Sequence, residues 1–273
     1  MNYVSFEPIG NYGNIFFQYA LMRLFANRCN MTPRLPTFEQ KHQQFLNDML
    51  DMEHEGLYGE AMHKAPFGIH RMPLFGEICQ HGLDPKDERN YLHYWKGQKI
   101  SRDAQLSGYF QDSALYEDTE LVKSYFNIPE VDPVDGVCVS LRLGSDFKSL
   151  DLVQEPNSVL DILLGKLDSL QFNNLTIITD TYDIGYLNHF AHFSPKVVCR
   201  ESCEPDKDFA DIMSYKKLII TNSTFSWWAA YLGHAEEVFM PSDYGTGYDY
   251  VKLNDIPGKK VKYYNVIYSN TLQ

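Results

Sequence analysis

Three short polar clusters in the second half of the chain carry the residue types that hold a phosphate. They are Arg142-Leu143-Gly144-Ser145-Asp146, Thr179-Asp180-Thr181 and Thr221-Asn222-Ser223-Thr224-Phe225-Ser226. The first supplies a guanidinium, whose planar fork of donors matches phosphate oxygens. The second supplies a carboxylate, able to accept a hydrogen bond from a base or a sugar hydroxyl. The third supplies hydroxyls just ahead of an apolar run, and the first backbone N–H groups of a helix starting there have no intrahelical partner and suit an anion. The same segment also reads as an ordinary helix start in which Ser223 or Ser226 caps the first turn. The surrounding elements decide between the two readings.

Each cluster follows a short apolar run of strand character. Val137, Val139, Leu141 and Leu143 alternate with Cys138, Ser140 and Arg142, residues 175–178 read as a strand, and 218–220 is apolar throughout. Helical patterns over 158–170, 184–190 and 208–215 and further strands at 197–199 and 238–240 complete an alternation of strand and helix. That alternation predicts an α/β fold with a parallel sheet and right-handed crossovers, in which ligands bind at the carboxyl edge where the three clusters lie. In the last helical run Phe225, Trp228, Ala229 and Leu232 share one face while Trp227, Ala230 and Tyr231 make the other apolar, which predicts an enclosed helix ending at a Gly233 cap.

The first half is less regular. Residues 3–6 read as a strand, Gly10-Asn11-Tyr12-Gly13-Asn14 as a turn, and 15–27 as a helix with Phe17, Leu21, Leu24 and Phe25 inward. From 33 to 95 no element is assigned. Residues 104–109 are strand-like, and Asp112 is placed to cap a helix reaching Phe126. The Pro- and Asp-rich stretch 127–136 marks a boundary, giving an N-terminal domain over 1–130, a second domain over 131–250, and a tail over 251–273 expected to pack back on the first domain.

The chain has 273 residues and a formal charge of −12, with no clustered Lys/Arg face, which argues against a nucleic-acid or anionic-membrane partner. The five cysteines form no CxxC pair and are expected to be reduced. No run reaches the roughly 18 apolar residues of a membrane span, and the N-terminus lacks the basic and apolar regions of a secretion signal. The expectation is a soluble, cytoplasmic protein, its sequons at Asn174 and Asn222 unglycosylated. Asp206-Lys207-Asp208 has the D-x-D form that chelates a divalent cation beside a nucleotide diphosphate, but it opens a helical pattern, and capping is the favoured role. The nine histidines form no triad or metal set, and no metal site is assigned.

Three motifs resemble the α-1,2-fucosyltransferases, glycosyltransferase family 11. Residues 10–20 are similar to that family's G-x-x-G-N-x-x-F-Q-Y-A, residues 108–111 to its GYFQ element, and residues 221–232 to its S-N-S-T-F-S-W-W-A-A-Y-L segment, in the same order and spacing. The resemblance implies a GT-B-like chain of two Rossmann-type domains, the C-terminal one a parallel sheet with helices on both faces. It implies an inverting transfer of L-fucose from GDP-fucose to a hydroxyl of a glycan acceptor, in α-1,2 linkage and without a metal or other cofactor. By similarity Arg142 would hold the β-phosphate, Asn14 and the Gly10 and Gly13 loop would face the acceptor and the transferring sugar, and Asp180 would lie near the nucleotide. Ser140, Asn222, Ser223, Thr224, Phe225 and Ser226 would complete the donor site, with Asp146 or Glu7 as the base.

One motif departs from the family. Where the family shows H-x-R-R-x-D, this chain has Ser140-Leu141-Arg142-Leu143-Gly144-Ser145-Asp146, so a histidine and the second arginine are absent and the aspartate falls one place later. Loss of a charge-assisted phosphate contact is worth ~1.5 to 3 kcal/mol unless another cation replaces it. Arg102, Lys148 and Arg200 are the candidates. The departure keeps two alternatives open: a transferase using another sugar nucleotide, and a non-catalytic protein that binds a sugar nucleotide or glycan.

Overall fold

Strand-forming runs alternating with helices build a parallel sheet in each of two units, Met1–Ile128 with Tyr250–Leu253 and Pro129–Asp249 with Asn254–Gln273. The computed structural model describes residues 3–36, 38, 40–51, 70–71, 104–106, 108–165, 172–200, 204–244, 251 and 253–268.

In the first unit four strands, β1 (Tyr3–Phe6), β2 (Thr32–Pro33), β3 (His70–Arg71) and β4 (Ala104–Leu106), pair in the order β2-β1-β4-β3, all parallel. Helix α1 (Tyr12–Cys29) is longer than its sequence pattern predicts and is enclosed on most sides, with Phe16, Phe17, Tyr19, Ala20, Leu21 and Met22 fully buried. It stops at Asn30, which takes the left-handed conformation at φ 53° and returns its N–H to the Ala26 carbonyl, a conformation asparagine tolerates better than most residues. A second helix, α2 (Gln40–Met49), lies in the stretch the sequence left unassigned; Phe45 from it packs edge-on to Tyr12 with ring centroids 5.0 Å apart.

The single helix expected from Asp112 to Phe126 is instead two pieces. Asp112 caps only a 3-10 turn at Ser113–Tyr116, accepting from the Ala114 N–H. Asp118 then caps α3 (Thr119–Lys123) by accepting from the Leu121 N–H. A second capping aspartate within six residues offers the backbone a new start, and the chain takes it.

In the second unit β5 (Val134–Leu141), β6 (Leu175–Thr179), β7 (Lys196–Cys199), β8 (Tyr215–Ile220), β9 (Glu237–Pro241) and β10 (Lys260–Tyr264) form a parallel sheet in the order β10-β9-β8-β5-β6-β7. Between them lie α4 (Ser145–Ser149), α5 (Pro156–Leu163), α6 (Ile184–Leu187), α7 (Pro205–Ser214) and α8 (Thr224–Leu232). From Val137 to Leu141 β5 is buried on both faces, as a central parallel strand covered by helices must be. One face joins Val137, Val139, Leu141 and Leu143 to Val159, Ile162 and Leu163 of α5. Helix α7 packs on β5 and β8, and α8 packs on α7.

The tail divides between the units: Tyr250–Leu253 groups with the first and Asn254–Gln273 with the second, where residues 260–264 pair in parallel with β9 and extend the sheet. Gly233 also has a different reason from the one expected. Its backbone is extended, at φ −91° and ψ −162°, so no left-handed cap requires glycine there. A Cβ would instead lie 2.4 Å from the Met213 carbonyl oxygen and 2.7 Å from that of Ala229, so the close approach of the chain excludes a side chain.

Candidate active site

The strand order places the site. From β5 the chain winds outward through β6 and β7, then returns to the other side of β5 and continues through β8, β9 and β10. The winding therefore reverses between β5 and β8, and a crevice opens outside the carboxyl ends of the strands at such a reversal. Ser140 stands opposite Ile220 and Leu141 opposite Thr179, so the loops beginning at Arg142, Asp180 and Thr221 leave the sheet side by side.

Arg142 is held by two carboxylates. Its Nη2 donates to Asp146 Oδ2 at 2.8 Å, and its Nε lies 3.1 Å from Asp180 Oδ2, an ion-pair distance without hydrogen-bond alignment. The guanidinium also sits over the Phe147 ring at 4.9 Å. Asp180 turns its other oxygen to the Leu143 N–H at 2.8 Å, and Asp146 turns its other oxygen to the Phe147 N–H at 2.9 Å. Gly144 makes this convergence fit, since a Cβ there would meet Asp180 Oδ2 at 2.8 Å and Asp146 Oδ1 at 2.9 Å. Roughly a quarter of the Arg142 side chain remains accessible, so the cation is aligned yet reachable.

The elbow before α8 is built from hydroxyls. Thr221 donates both its N–H, at 3.3 Å, and its Oγ1, at 3.1 Å, to the Ser140 carbonyl. Ser223 is the N-cap, its Oγ accepting from the Ser226 N–H at 3.4 Å, while its carbonyl accepts from Trp227. Ser226 Oγ lies 2.7 Å from Ser140 Oγ, so the serine standing where the family has histidine ties β5 directly to the first turn of α8. Asn222 is 8% exposed; its Nδ2 donates to the Leu152 carbonyl at 3.4 Å, and its Oδ1 has no partner among the described residues. A buried carbonyl left unmatched costs about 1 to 3 kcal/mol, which a ligand N–H or O–H would relieve.

The rest of the elbow is held by the C-terminal segment. The Tyr264 hydroxyl lies 2.9 Å from both the Ile220 carbonyl and Gln154 Oε1, and burial pushes its pKa well up, so it stays a neutral donor. Trp227 Nε1 donates to the Asp255 carbonyl at 3.0 Å. Tyr264 and Asp255 are absent from the sequence-based site. The short run at 260–264, with lysines at alternate positions, is too weak a strand pattern to reveal them.

The first unit carries its own loop at the end of β1. Gly10 has φ +82°, which favours glycine, and Asn14 stands in the first turn of α1. Gly13 is buried in the same turn. The side chain of Gln18 is fully buried, accepting from the Ile9 N–H at 3.2 Å and donating to the carbonyls of Ile9 at 3.2 Å and Gly108 at 3.0 Å. Glu7 follows β1, with its N–H on the Leu106 carbonyl.

Within the second unit the structure thus gathers Ser140, Arg142, Asp146, Asp180 and residues 222–226. Gly10, Gly13 and Asn14 form a separate group in the first. Phe225 packs edge-on to Phe209 of α7 at 5.0 Å. The departure from the family motif is built into the packing: Leu143, in place of the second arginine, is 2% exposed within the core. Of the candidate replacement cations, Arg200 is tied to Asp208 and Asp211, Lys148 of α4 pairs with Asp183 at 3.2 Å, and Arg102 lies outside the described residues. Lys148 is thus the candidate whose helix adjoins Arg142.

In the D-x-D segment both aspartates fall in the first turn of α7, where Asp208 pairs with Arg200 and Lys207 with Glu204. Among the described residues no group of three or more His, Cys, Asp or Glu side chains is arranged to hold a metal ion. Cys138 is a free thiol buried in the second unit, and burial pushes it strongly up. No described helix is long and apolar enough to cross a membrane.

Comparison with known proteins agrees with this architecture. No curated protein sequence matches the chain. Among solved structures, NodZ α-1,6-fucosyltransferase soaked with GDP-fucose is 13% identical over 98% of this chain and 99% of its own, with a TM-score of 0.53. POFUT1 in complex with GDP-fucose is 12% identical over 97% and 98%, with a TM-score of 0.52. Fucosyltransferase NodZ from Bradyrhizobium is 13% identical over 85% and 93%, with a TM-score of 0.50. At these identities the likeness shows the fold, which is GT-B-like. The profile of Glycosyl transferase family 11 matches residues 6–243, most of the 273-residue chain, and the chain belongs to glycosyl transferase family 11.

Proposed function

We propose that the protein is an inverting fucosyltransferase that moves L-fucose from GDP-fucose to a hydroxyl of a glycan acceptor, in α-1,2 linkage and without a metal cofactor. The observation that carries this reading is the placement of Arg142 and the hydroxyl-lined start of α8 at the reversal point of the second sheet in a family 11 chain. The acceptor oxygen forms its bond to C1 of fucose as the bond from C1 to the β-phosphate oxygen breaks, the electron pair leaves on GDP, and the acceptor hydroxyl's proton passes to water or to the departing phosphate. Arg142 and the positive end of α8 meet that developing charge, the term that dominates catalysis when the leaving group is an anion. The neighbours solved with GDP-fucose support the same donor.

With one Asp146 oxygen on Arg142 and the other on the Phe147 N–H, we assign Asp146 to aligning the cation and not to taking the acceptor proton. Asp180 is assigned the same work through Nε. Ser223 and Thr224 are assigned to the diphosphate, and Asn222, whose free end is an acceptor, to a hydroxyl or N–H of the nucleotide.

The test is transfer from GDP-fucose to a panel of galactoside acceptors, run with and without EDTA, with linkage and anomeric configuration read from the product by NMR. Transfer in EDTA giving the inverted product is expected. A requirement for a divalent cation, or retention at C1, would overturn the mechanism. A second reading is favoured by the buried Leu143, which leaves Arg142 without the family's second arginine: the same fold would then take another sugar nucleotide or bind without transfer. GDP binding without turnover or slow donor hydrolysis would establish the non-catalytic form, and turnover of a different donor would keep the fold and discard fucose.

A further inference from the structure

Arg142 meets its two carboxylates on different edges of the guanidinium, and the two contacts are unequal. Its Nε atom is buried, with Asp180 Oδ2 3.1 Å away, so a ligand does not reach that edge. A phosphate that grips the guanidinium through two parallel hydrogen bonds must therefore use both terminal nitrogens. One of these, Nη2, already donates to Asp146 Oδ2 at 2.8 Å. The edge a phosphate needs is the edge Asp146 holds. The two carboxylates also differ in how firmly they are anchored. The Asp180 side chain is 25% exposed, and its second oxygen accepts from the Leu143 N–H, which ties the end of β6 to the end of β5. The Asp146 side chain is 47% exposed and stands on α4, a five-residue helix with no buried residue, where its second oxygen accepts only from the adjoining Phe147 N–H. An ion pair this exposed is weak and yields readily to a competing anion.

A carboxylate and the β-phosphate of a sugar-linked diphosphate each bear a single negative charge, whereas a terminal phosphate carries about −1.5 to −2 at pH 7. Asp146 thus competes evenly with the β-phosphate of the donor and poorly with that of the leaving group. We propose that Asp146 is a specificity-determining residue of the diphosphate site, an internal anion that holds the terminal edge of Arg142 until a phosphate replaces it. Asp180 keeps the buried edge throughout, so the cation stays aimed while its partner changes. The exchange discriminates by charge: it lowers affinity for the sugar-linked diphosphate more than for the diphosphate that transfer releases, and so favours the charge that develops as the bond at C1 breaks. The charge discrimination rests on the transferase reading above, and the displacement of Asp146 rests on the geometry around Arg142 alone.

The experiment uses the full chain and two isosteric substitutions, Asp146→Asn and Asp180→Asn, with GDP-fucose, GDP and inorganic pyrophosphate binding followed by calorimetry. Removing a weak competitor is expected to tighten GDP-fucose and pyrophosphate about 2- to 5-fold in Asp146→Asn, and GDP by less than GDP-fucose. Asp180→Asn is expected to weaken all three. A residue that only held the loop together would weaken binding when replaced, so the opposite signs of the two variants distinguish the roles. Weaker or unchanged binding in Asp146→Asn would overturn the proposal, and equal tightening of GDP and GDP-fucose would overturn the charge discrimination. The side-chain carboxyl 13C resonance of Asp146, assigned through Asp146→Asn, is expected to shift when pyrophosphate is added to the wild-type chain. An unmoved resonance at saturation would overturn the displacement, as would absence of pyrophosphate binding in both the wild type and Asp146→Asn. If GDP-fucose does not bind, the donor reading fails separately, and pyrophosphate still decides whether Asp146 is displaced.

Discussion

The loop after β1 and the loop after β5 sit at the same place in their respective sheets and are held by opposite chemistry. In the first unit, neutral carboxamides do the holding, with Gln18 fully buried and Gln111 nearly so. In the second, Asp146 and Asp180 fix a guanidinium that remains partly exposed. Buried neutral hydrogen bonds are rigid and little affected by salt, and losing one partner strands the other. Partly exposed ion pairs contribute little to stability, are screened within about 8 to 10 Å at ordinary ionic strength, and leave the charge usable. The first loop is built to present a fixed shape, and the second to present a charge that can exchange one anionic partner for another.

The strongest way to break this comparison is Arg142→Ala. Transfer should fall below detection and GDP affinity should drop about 10- to 100-fold, corresponding to ~1.5 to 3 kcal/mol, with Tm nearly unchanged. Kinetics and calorimetry on one preparation check it, and unchanged turnover would remove Arg142 from the site.

Gly144→Ala comes next. Its Cβ must displace Asp180 or Asp146, and turnover should fall about 10-fold through loss of the near-attack alignment. Full turnover would show that the converging carboxylates are not what aim the cation.

Gln18→Leu tests the neutral side. Stranding the Ile9 and Gly108 backbone groups should cost about 1 to 3 kcal/mol of stability, readable in a denaturant melt and independent of added salt. A destabilisation that salt relieves would contradict the contrast drawn above.

The smallest effect is expected at Asp183. The Tyr186 N–H and then Lys148 hold its carboxyl below the ordinary 3.8. A depressed folded-state pKa contributes stability that is present above the unfolded value and lost as pH falls through the folded one. Asp183→Asn should therefore lower stability slightly near neutral pH, and the deficit should vanish as pH falls through the depressed folded-state value, where the wild-type carboxyl is also protonated. A variant whose deficit persists unchanged into acid would show that the cap geometry, and not the charge, matters.

Most strands of the second unit were legible because a buried parallel strand must be short and largely apolar, as 137–141, 175–178 and 218–220 are. Helix α8 was legible for the same reason, being apolar on every side. Reading failed where local pattern was weak or where distant segments decide the structure. Asp118 competes with Asp112 for the same helix start, so a single helix reads as plausible and two pieces form. Residues 260–264, with lysines at alternate positions, do not announce a strand; pairing with β9 makes them one. Gln18 and Gln111 were visible as motif letters, but nothing local shows that both reach back to one loop.

What the amino-acid sequence by itself determined was the family, the alternation of strand and helix, and the polar clusters at three strand ends, because these depend on residue type and short spacing. Strand order was decided only by the tertiary structure. Placing β5 between β8 and β6 brings Arg142, Asp180 and the α8 elbow into adjacent loops, since a parallel sheet aligns the same ends of strands far apart in the chain. The tertiary structure also decided the fate of the missing arginine. The residue in its place, Leu143, is buried in the core just past the end of β5, while Arg142 before it stays partly exposed and paired with its carboxylates.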